Sequence, residues 1–295
     1  MNIISQVSKM NAATLFIFVV GLSVAASKVL NGSVFRQRSV ELYSTEDQVV
    51  GAFVISNAEK SDGKIYTIHA DVNDNRTEKG VYEVDLNLNT TVKILDKGRD
   101  LCYDDDSTIY VASNDGIYVY KTGDKSFKKY GTFKADVISL TKMNGSDLFY
   151  AVTNDNKAYK VTENGNKYVL DDKLKAVKQV MFDNFNVLHY VTLDNEVFKV
   201  IENVEKIDFN VKIDYVRLLK SSATEDDALF LLVNNDLVVI KSTGILKVVE
   251  NLGKVSAFSK ETDSLLIYAV DKKVYGFIPL LYVIGSFADV LSLKY

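Results

Sequence analysis

The sequence predicts an all-β protein, and three of its features carry that prediction. The chain of 295 residues is 47% hydrophobic and 25% charged, which is typical of a globular protein. It contains 1 Pro, 17 Tyr and 15 Phe, and aromatic residues are enriched in strands. Short stretches alternate apolar and polar residues between turn sequences, as half-buried strands do. The same layout returns with a period of about forty residues, which indicates a repeat architecture.

The repeating unit is a β-hairpin. It is clearest at residues 107–123, where two alternating strands are joined by the turn sequence Asn114-Asp115-Gly116. We expect six such hairpins, at residues 64–84, 108–121, 148–161, 187–200, 229–241 and 265–277. The equivalent positions in their second strands are Tyr82, Tyr118, Tyr159, Phe198, Val239 and Tyr275, which lie 36, 41, 39, 41 and 36 residues apart.

Shorter amphipathic strands flank the hairpins in the sequence. Residues 137–140 and 180–182 precede hairpins, and residues 127–133 and 245–249 follow them. Four short antiparallel strands per unit at this period describe a propeller blade. The sequence therefore predicts an all-β, six-bladed β-propeller of four-stranded antiparallel blades, with a seven-bladed ring as the alternative.

The sequence leaves the closure of the ring open. Either residues 39–43 or residues 281–284 supply the last strand of the sixth blade. Closure removes exposed strand edges, so we expect one of the two segments to pair. We also expect a solvated tail at residues 34–38, with pairing of Arg36 and Arg38 to carboxylates as the alternative.

The first thirty residues have the layout of a secretory signal. Lys9 precedes an apolar run at residues 15–22, and small residues follow that run. The run is shorter than the roughly 20 residues that cross a bilayer. We expect cleavage after Ala26 or Ser27, so that residues 1–26 are a signal peptide and residues 27–295 a single propeller domain. The mature protein is then secreted into extracellular fluid, with no membrane attachment.

Four Asn-x-Ser/Thr sequons occur in polar, turn-like sequence. They begin at Asn31, Asn75, Asn89 and Asn144. In an exported protein such sequons are acceptors for N-glycosylation, so we predict a glycoprotein.

The chain carries few residues of the types used in catalysis. His69 and His189 each lie on a predicted strand, and we interpret both as structural. Cys102 is the only cysteine, so no intramolecular disulfide forms; we interpret it as a buried strand thiol, with a nucleophile or a bridge between chains as alternatives. No nucleophile elbow, phosphate-binding loop or zinc-protease motif occurs. We therefore expect no catalytic residues, no cofactor and no metal.

Two acidic clusters keep a calcium-dependent hydrolase as the alternative. One comprises residues 104–106 and the other is Asp183 with Asn184. Six-bladed propellers of the lactonase type (gluconolactonase-like) resemble this chain in blade size and hold calcium with acidic and amide residues facing the channel. Tight turns before strands require the same residue types, so we favour a turn role and expect no calcium.

A ligand site is expected in or over the central channel. The first strand of each blade lines that channel, and only there do all six repeats converge. Our candidates are Tyr103, Asp105, Asp183 and Asn184. Tyrosine rings turned into the channel would form a stacking surface for a planar ligand.

The net charge of the chain helps to predict its binding partners. The formal net charge is −4, with both signs interspersed, so we expect no nucleic acid. We expect a monomer whose partner is a small molecule, and a propeller acting only as a protein-binding scaffold is a further alternative.

The chain resembles the ommochrome-binding proteins of moth and butterfly haemolymph. The features that carry this resemblance are the signal segment, blades of the type seen at residues 107–121, the Tyr/Lys/Asp-rich and Trp-free composition and the mature length. The similarity extends over most of the mature chain. The resemblance implies a secreted, non-enzymatic carrier of a planar, carboxylate-bearing phenoxazinone pigment. It carries no ligand-contact motif that assigns pocket residues.

Overall fold

The computed structural model describes residues 30–37, 39–54, 64–72, 77–104, 108–121, 126–220, 229–241, 244–262 and 265–277. These residues form six antiparallel sheets of four propeller strands each, and one sheet gains a short parallel fifth strand. The predicted all-β, six-bladed propeller is confirmed.

The strands follow one another blade by blade. The N-terminal part contains β1 (Leu30–Asn31), α1 (Gly32–Gln37) and β2 (Val40–Ser44). Blade 1 contains β3 (Gln48–Val54), β4 (Lys64–Asp71), β5 (Thr77–Asp85) and β6 (Thr90–Leu95). Blade 2 contains β7 (Asp100–Tyr103), β8 (Thr108–Ser113), β9 (Gly116–Lys121) and β10 (Ser126–Lys129). Blade 3 contains β11 (Val137–Lys142), β12 (Phe149–Thr153), β13 (Ala158–Thr162) and β14 (Lys167–Leu170). Blade 4 contains β15 (Val177–Phe182), β16 (Leu188–Thr192), β17 (Val197–Val200) and β18 (Val204–Ile207). Blade 5 contains β19 (Val216–Leu219), β20 (Leu229–Val233), β21 (Asp236–Lys241) and β22 (Gly244–Glu250). Blade 6 contains β23 (Ala257–Thr262), β24 (Leu265–Val270), β25 (Lys273–Phe277) and the N-terminal strand β2.

All six predicted hairpins are present as the second and third strands of the blades. In blade 2 the turn pairs Ser113 with Gly116. Gly116 has a φ of 134°, and a Cβ there would lie 2.4 Å from the carbonyl oxygen of Phe133. Only glycine fits that position without strain, which is why the turn sequence ends in glycine.

The N-terminal segment closes the ring. Strand β2 pairs antiparallel with β25, with Val40 opposite Gly276. Residues 281–284, the alternative closing segment, lie outside the described residues. Strand β1 adds to the outer strand of blade 5 in parallel, so the N-terminal segment joins blade 5 to blade 6.

Helix α1 corrects the expectation of a solvated tail at residues 34–38. Phe35 is 1% exposed, and its ring stacks on Phe277 with centroids 4.2 Å apart. Arg36 donates to the carbonyl oxygen of Leu252, and it pairs with no carboxylate of the described residues. Gly32 lies so close to blade 5 that a Cβ would stand 2.2 Å from the carbonyl oxygen of Asn251. The apolar pair Val34-Phe35, which lies between Ser33 and Arg36, was the sequence signal for this docking.

The hydrophobic core lies between blades. Each of the six buried clusters among the described residues combines side chains of two consecutive blades. Second strands such as β8, β12 and β16 are buried along their whole length, whereas outer strands such as β14 are exposed. Burial of both faces explains why these second strands read as almost continuous apolar runs.

No helix within the described ranges is long and apolar enough to cross a membrane. The apolar run at residues 15–22 and the predicted signal cleavage site lie outside those ranges.

Candidate functional site

The innermost strands define two faces of the propeller. Strands β3, β7, β11, β15, β19 and β23 are the first strands of their blades and run in the same sense around the channel. We call the face where these strands start the upper face and the face where they end the lower face.

The channel is filled by polar side chains. Lys220 follows β19 of blade 5, and its ammonium donates to Asp100 Oδ2 at 2.7 Å, to the Leu101 carbonyl oxygen at 2.7 Å and to the Leu140 carbonyl oxygen at 2.5 Å. These acceptors belong to blades 2 and 3, so Lys220 crosses the channel. The free space left beside it is about 40 Å³, which is the size of a water site.

Side chains of one innermost strand also bond to the backbone of the next. Asp100 Oδ2 accepts from the Leu140 amide at 2.8 Å, and Gln179 both donates to and accepts from the Leu218 backbone at 2.8 Å. Further links of this kind join Ser139 to Val180, Thr141 to Phe182 and Ser256 to Val49. These bonds satisfy backbone groups at the channel-facing strand edges, which no neighbouring strand pairs. Together with Lys220 they fill the channel, which leaves no room for a small molecule inside it.

A cavity of about 900 Å³ opens on the upper face. It lies between blades 5, 6 and 1, where their innermost strands start and their second strands end. Its volume is within the range of small-molecule sites. The lining residues with apolar or aromatic side chains are Val50, Val72, Tyr215, Val255 and Val270. Polar side chains are supplied by Gln48, Asn234, Asn235 and Ser256.

Arg217 lines this cavity, and Lys178 stands beside one of its walls without lining it. Arg217 lines both the cavity and the narrow channel below, and its Nη2 donates to the Val50 carbonyl oxygen at 2.9 Å. The Lys178 ammonium stands 5.7 Å from the ring centroid of Tyr215, another lining residue. Lys178 is held by Asn195, whose Oδ1 accepts from the ammonium at 2.5 Å. Burial first, and then the positive charge of Arg217, lower the pKa of Lys178 below its ordinary value.

The carboxylates of the cavity lie at its rim. Asp214 is paired with Lys212 at 2.8 Å, and both side chains are exposed. Asp271 is exposed at the hairpin turn of blade 6. Lys254 also lines the cavity, and its exposed side chain places a positive charge at the rim.

The candidates chosen from sequence lie on the lower face. Tyr103 ends β7 of blade 2, and Asp183 and Asn184 follow β15 of blade 4. They share a face of the propeller with each other but not with the 900 Å³ cavity. Asp105 lies outside the described residues, as does Asp106.

Asp183 organises a turn. Its Oδ1 accepts from the amides of Phe185 and Val187, both at 2.9 Å, and its Oδ2 lies 2.9 Å from His189 Nε2. Asp104 does the same in blade 2, accepting from the Thr108 amide at 3.3 Å and from the Tyr110 hydroxyl at 3.1 Å. This is the turn role that the sequence favoured for the acidic clusters. The described ranges contain no group of three His, Cys, Asp or Glu side chains able to hold a metal ion.

The two histidines and the cysteine lie on strands, as predicted. His69 is 1% exposed, its ring stacks on Tyr82 with centroids 4.2 Å apart, and burial lowers its pKa to about 4. Cys102 is buried in β7, and burial raises the pKa of its thiol to about 12. Such a thiol is protonated at neutral pH and is a weak nucleophile.

Sequence reasoning missed Lys220 in the channel, Arg217 at the cavity and Lys178 beside it. The available signal was a cation inside an innermost strand, since Val216–Leu219 carries an arginine among apolar residues and is followed at once by Lys220. Innermost strands are largely buried, so a cation there needs a specific partner or ligand.

The blades, the sealed channel and the cavity on one face define a six-bladed β-propeller with a candidate small-molecule site over its channel. No protein-family model matches the chain, and no curated protein matches it.

Solved structures resemble this chain in fold. A protein of unknown function from Bacteroides thetaiotaomicron superposes with a TM-score of 0.62 at 11% identity, over 86% of this chain and 73% of the other. PorZ of the type-IX secretion system of Porphyromonas gingivalis gives a TM-score of 0.54 at 10% identity, over 82% of this chain and 38% of its own. Streptogramin B lyase gives 0.50 at 11% identity, over 81% of this chain and 96% of its own. These identities establish the propeller fold alone.

Proposed function

We propose that this protein is a secreted, non-enzymatic carrier that binds a planar aromatic small molecule, an ommochrome-type phenoxazinone pigment, in the cavity over the channel. The observation that carries the proposal is the open cavity of about 900 Å³ above a channel sealed by Lys220 and its partners. A ligand held there contacts Tyr215 and the apolar side chains of Val50 and Val270. A planar ring system gains most from such a mixture of an aromatic face and apolar walls.

The predicted export and the resemblance to insect haemolymph pigment carriers support the same function. A carrier needs a preformed site and no reacting groups. The Cys102 thiol is protonated and buried, and Asp183 and His189 are engaged with each other in a turn. The proposal moves the ligand from the lower-face candidates to the upper face, because the cavity of about 900 Å³ lined by described residues is there.

The test is a titration of purified mature protein with 2-aminophenoxazin-3-one-1,9-dicarboxylic acid, followed by its visible absorbance. We expect one molecule per chain with a dissociation constant on the order of 10 μM or tighter. Asn235→Trp places a bulky ring at a lining position and should weaken binding at least tenfold.

Asn154→Trp is the matched control. Asn154 is exposed in the corresponding hairpin turn of blade 3 and does not line the cavity. Absence of binding, or equal weakening by both tryptophan variants, would contradict the proposed site.

A further inference from the structure

We propose that Arg217, supported by the charge of Lys178 beside Tyr215, forms a carboxylate-binding subsite where the cavity meets the channel, so that the protein selects planar aromatic acids over neutral aromatics of the same shape. This inference rests on the proposed function, since it concerns the same cavity. It adds which residues select a negatively charged ligand.

Arg217 supplies the guanidinium of the subsite. Among the contacts of the described residues, its guanidinium makes one hydrogen bond, to the Val50 carbonyl oxygen at 2.9 Å, and no ion pair. A guanidinium has five N–H donors in a planar fork that matches a carboxylate. The bond to Val50 holds the group in place, which lowers the entropy cost of binding a ligand.

Lys178 adds positive charge next to the subsite without lining the cavity. Its ammonium lies 2.5 Å from Asn195 Oδ1, and Asn195 Nδ2 donates to the Asp214 carbonyl oxygen at 2.9 Å, so the ammonium is positioned by a chain of bonds. It stands 5.7 Å from the ring centroid of Tyr215, two residues before Arg217 in the chain. Residues two apart in an extended segment point to the same side, and both Tyr215 and Arg217 line the cavity.

The surrounding charges leave both cations without a carboxylate partner in the described part of the chain. Asp214 pairs with Lys212 at the rim, and Asp271 is exposed. Burial is the main cause of the lowered pKa of Lys178, and the positive charge of Arg217 lowers it further, so the two cations repel each other. A bound carboxylate would relieve that repulsion, and the adjacent Tyr215 ring would contact the aromatic part of the same ligand.

The experiment compares two dyes of the same ring system, neutral 2-aminophenoxazin-3-one and its 1,9-dicarboxylic acid. We expect the parent protein to prefer the acid at least tenfold at low ionic strength. Arg217→Gln and Lys178→Gln should each reduce this preference to threefold or less while the affinity for the neutral dye stays within threefold. Lys134→Gln removes one exposed cation outside the cavity and should leave the preference unchanged. Circular dichroism and thermal unfolding establish that each variant is folded.

Two results overturn the subsite: no preference in the parent protein, or a preference that survives in folded Arg217→Gln and Lys178→Gln. If Arg217→Gln fails to fold, Arg217→Lys and Lys178→Gln decide the question. If neither dye binds, the proposed pigment-carrier function fails. The subsite is then judged separately by 2-naphthoate against naphthalene-2-carboxamide. A preference for 2-naphthoate that is abolished in both Arg217→Gln and Lys178→Gln supports the subsite. Equal binding of 2-naphthoate and naphthalene-2-carboxamide, or no binding of either compound, overturns the subsite.

Discussion

The Lys220 ammonium lies 2.7 Å from Asp100 Oδ2, and the two residues come from blades 5 and 2, which are opposite each other in the ring. Both side chains are largely buried, with 13% and 21% of their surface exposed. The pair therefore links the two halves of the propeller directly through its centre, and it forms the floor beneath the candidate ligand cavity.

Removing the Lys220 charge should destabilise the whole ring. Lys220→Met leaves Asp100 without its counter-ion, and an uncompensated, largely buried carboxylate costs about 3 kcal/mol of unfolding free energy. Urea unfolding of the parent and variant measures the difference. Lys134→Met, at an exposed position without this contact, should change the unfolding free energy by less than about 0.5 kcal/mol. A loss equally small for Lys220→Met would show that the pair does not stabilise the fold.

Helix α1 should stabilise the fold by packing against both blade 5 and blade 6, and we call this contact the clasp. Phe35→Ala removes a fully buried ring that stacks on Phe277, so we expect a loss of about 3–5 kcal/mol. Gly32→Ala should also destabilise, because its Cβ would overlap the Asn251 carbonyl group. Gln37→Ala, at an exposed position of the same helix, is the control. The clasp would be refuted if thermal unfolding of Phe35→Ala matched that of Gln37→Ala.

Stability should depend on pH through His69. Its pKa is about 4 in the folded protein and about 6.5 in an unfolded chain, so the unfolded state binds more protons between these values. The stabilisation is fully present above pH 6.5 and is lost as pH falls toward 4, by up to about 3 kcal/mol. His69→Phe cannot titrate, so its unfolding free energy should fall less than that of the parent over this pH range. Parallel pH profiles for parent and variant would exclude this role.

Substitutions on the upper face and on the lower face should affect ligand affinity differently. Tyr215→Ala removes a ring that lines the upper cavity and should weaken phenoxazinone binding about tenfold, since an aromatic contact contributes about 1 kcal/mol beyond its buried area. Tyr103→Ala and Asp183→Asn change the lower face and should leave the affinity unchanged. Weakening by the lower-face variants alone would return the site to the residues chosen from sequence.

N-glycosylation should be visible at Asn89 and Asn144. Both asparagines are exposed in turns, and Asn144 is held through its backbone by the Asn186 side chain, which leaves its own amide available. When the protein is secreted from insect cells, the apparent mass of Asn144→Gln and of Asn89→Gln should each be lower than that of the parent by the mass of one glycan. Asn154→Gln, which alters no sequon, should migrate as the parent does. A parent protein whose mobility does not respond to glycosidase would contradict the prediction.

The sequence by itself determined the blades. Alternation, turn residues such as Gly116 and the period near forty residues are local properties, because a hairpin is stabilised by residues close in the chain. The same reasoning placed Cys102 and His69 on strands and recognised Asp183 as a turn residue.

Only the tertiary structure decided how the ring closes and where its cavity lies. Closure by β2 and the docking of Phe35 join residues more than 200 positions apart, and no local pattern distinguished that segment from residues 281–284. The link between Lys220 and Asp100 spans 120 positions, and it exists because opposite blades face one channel. Arg217 and Lys178 lie near each other for the same reason, since a closed ring brings together the starts of innermost strands that the sequence separates by whole blades.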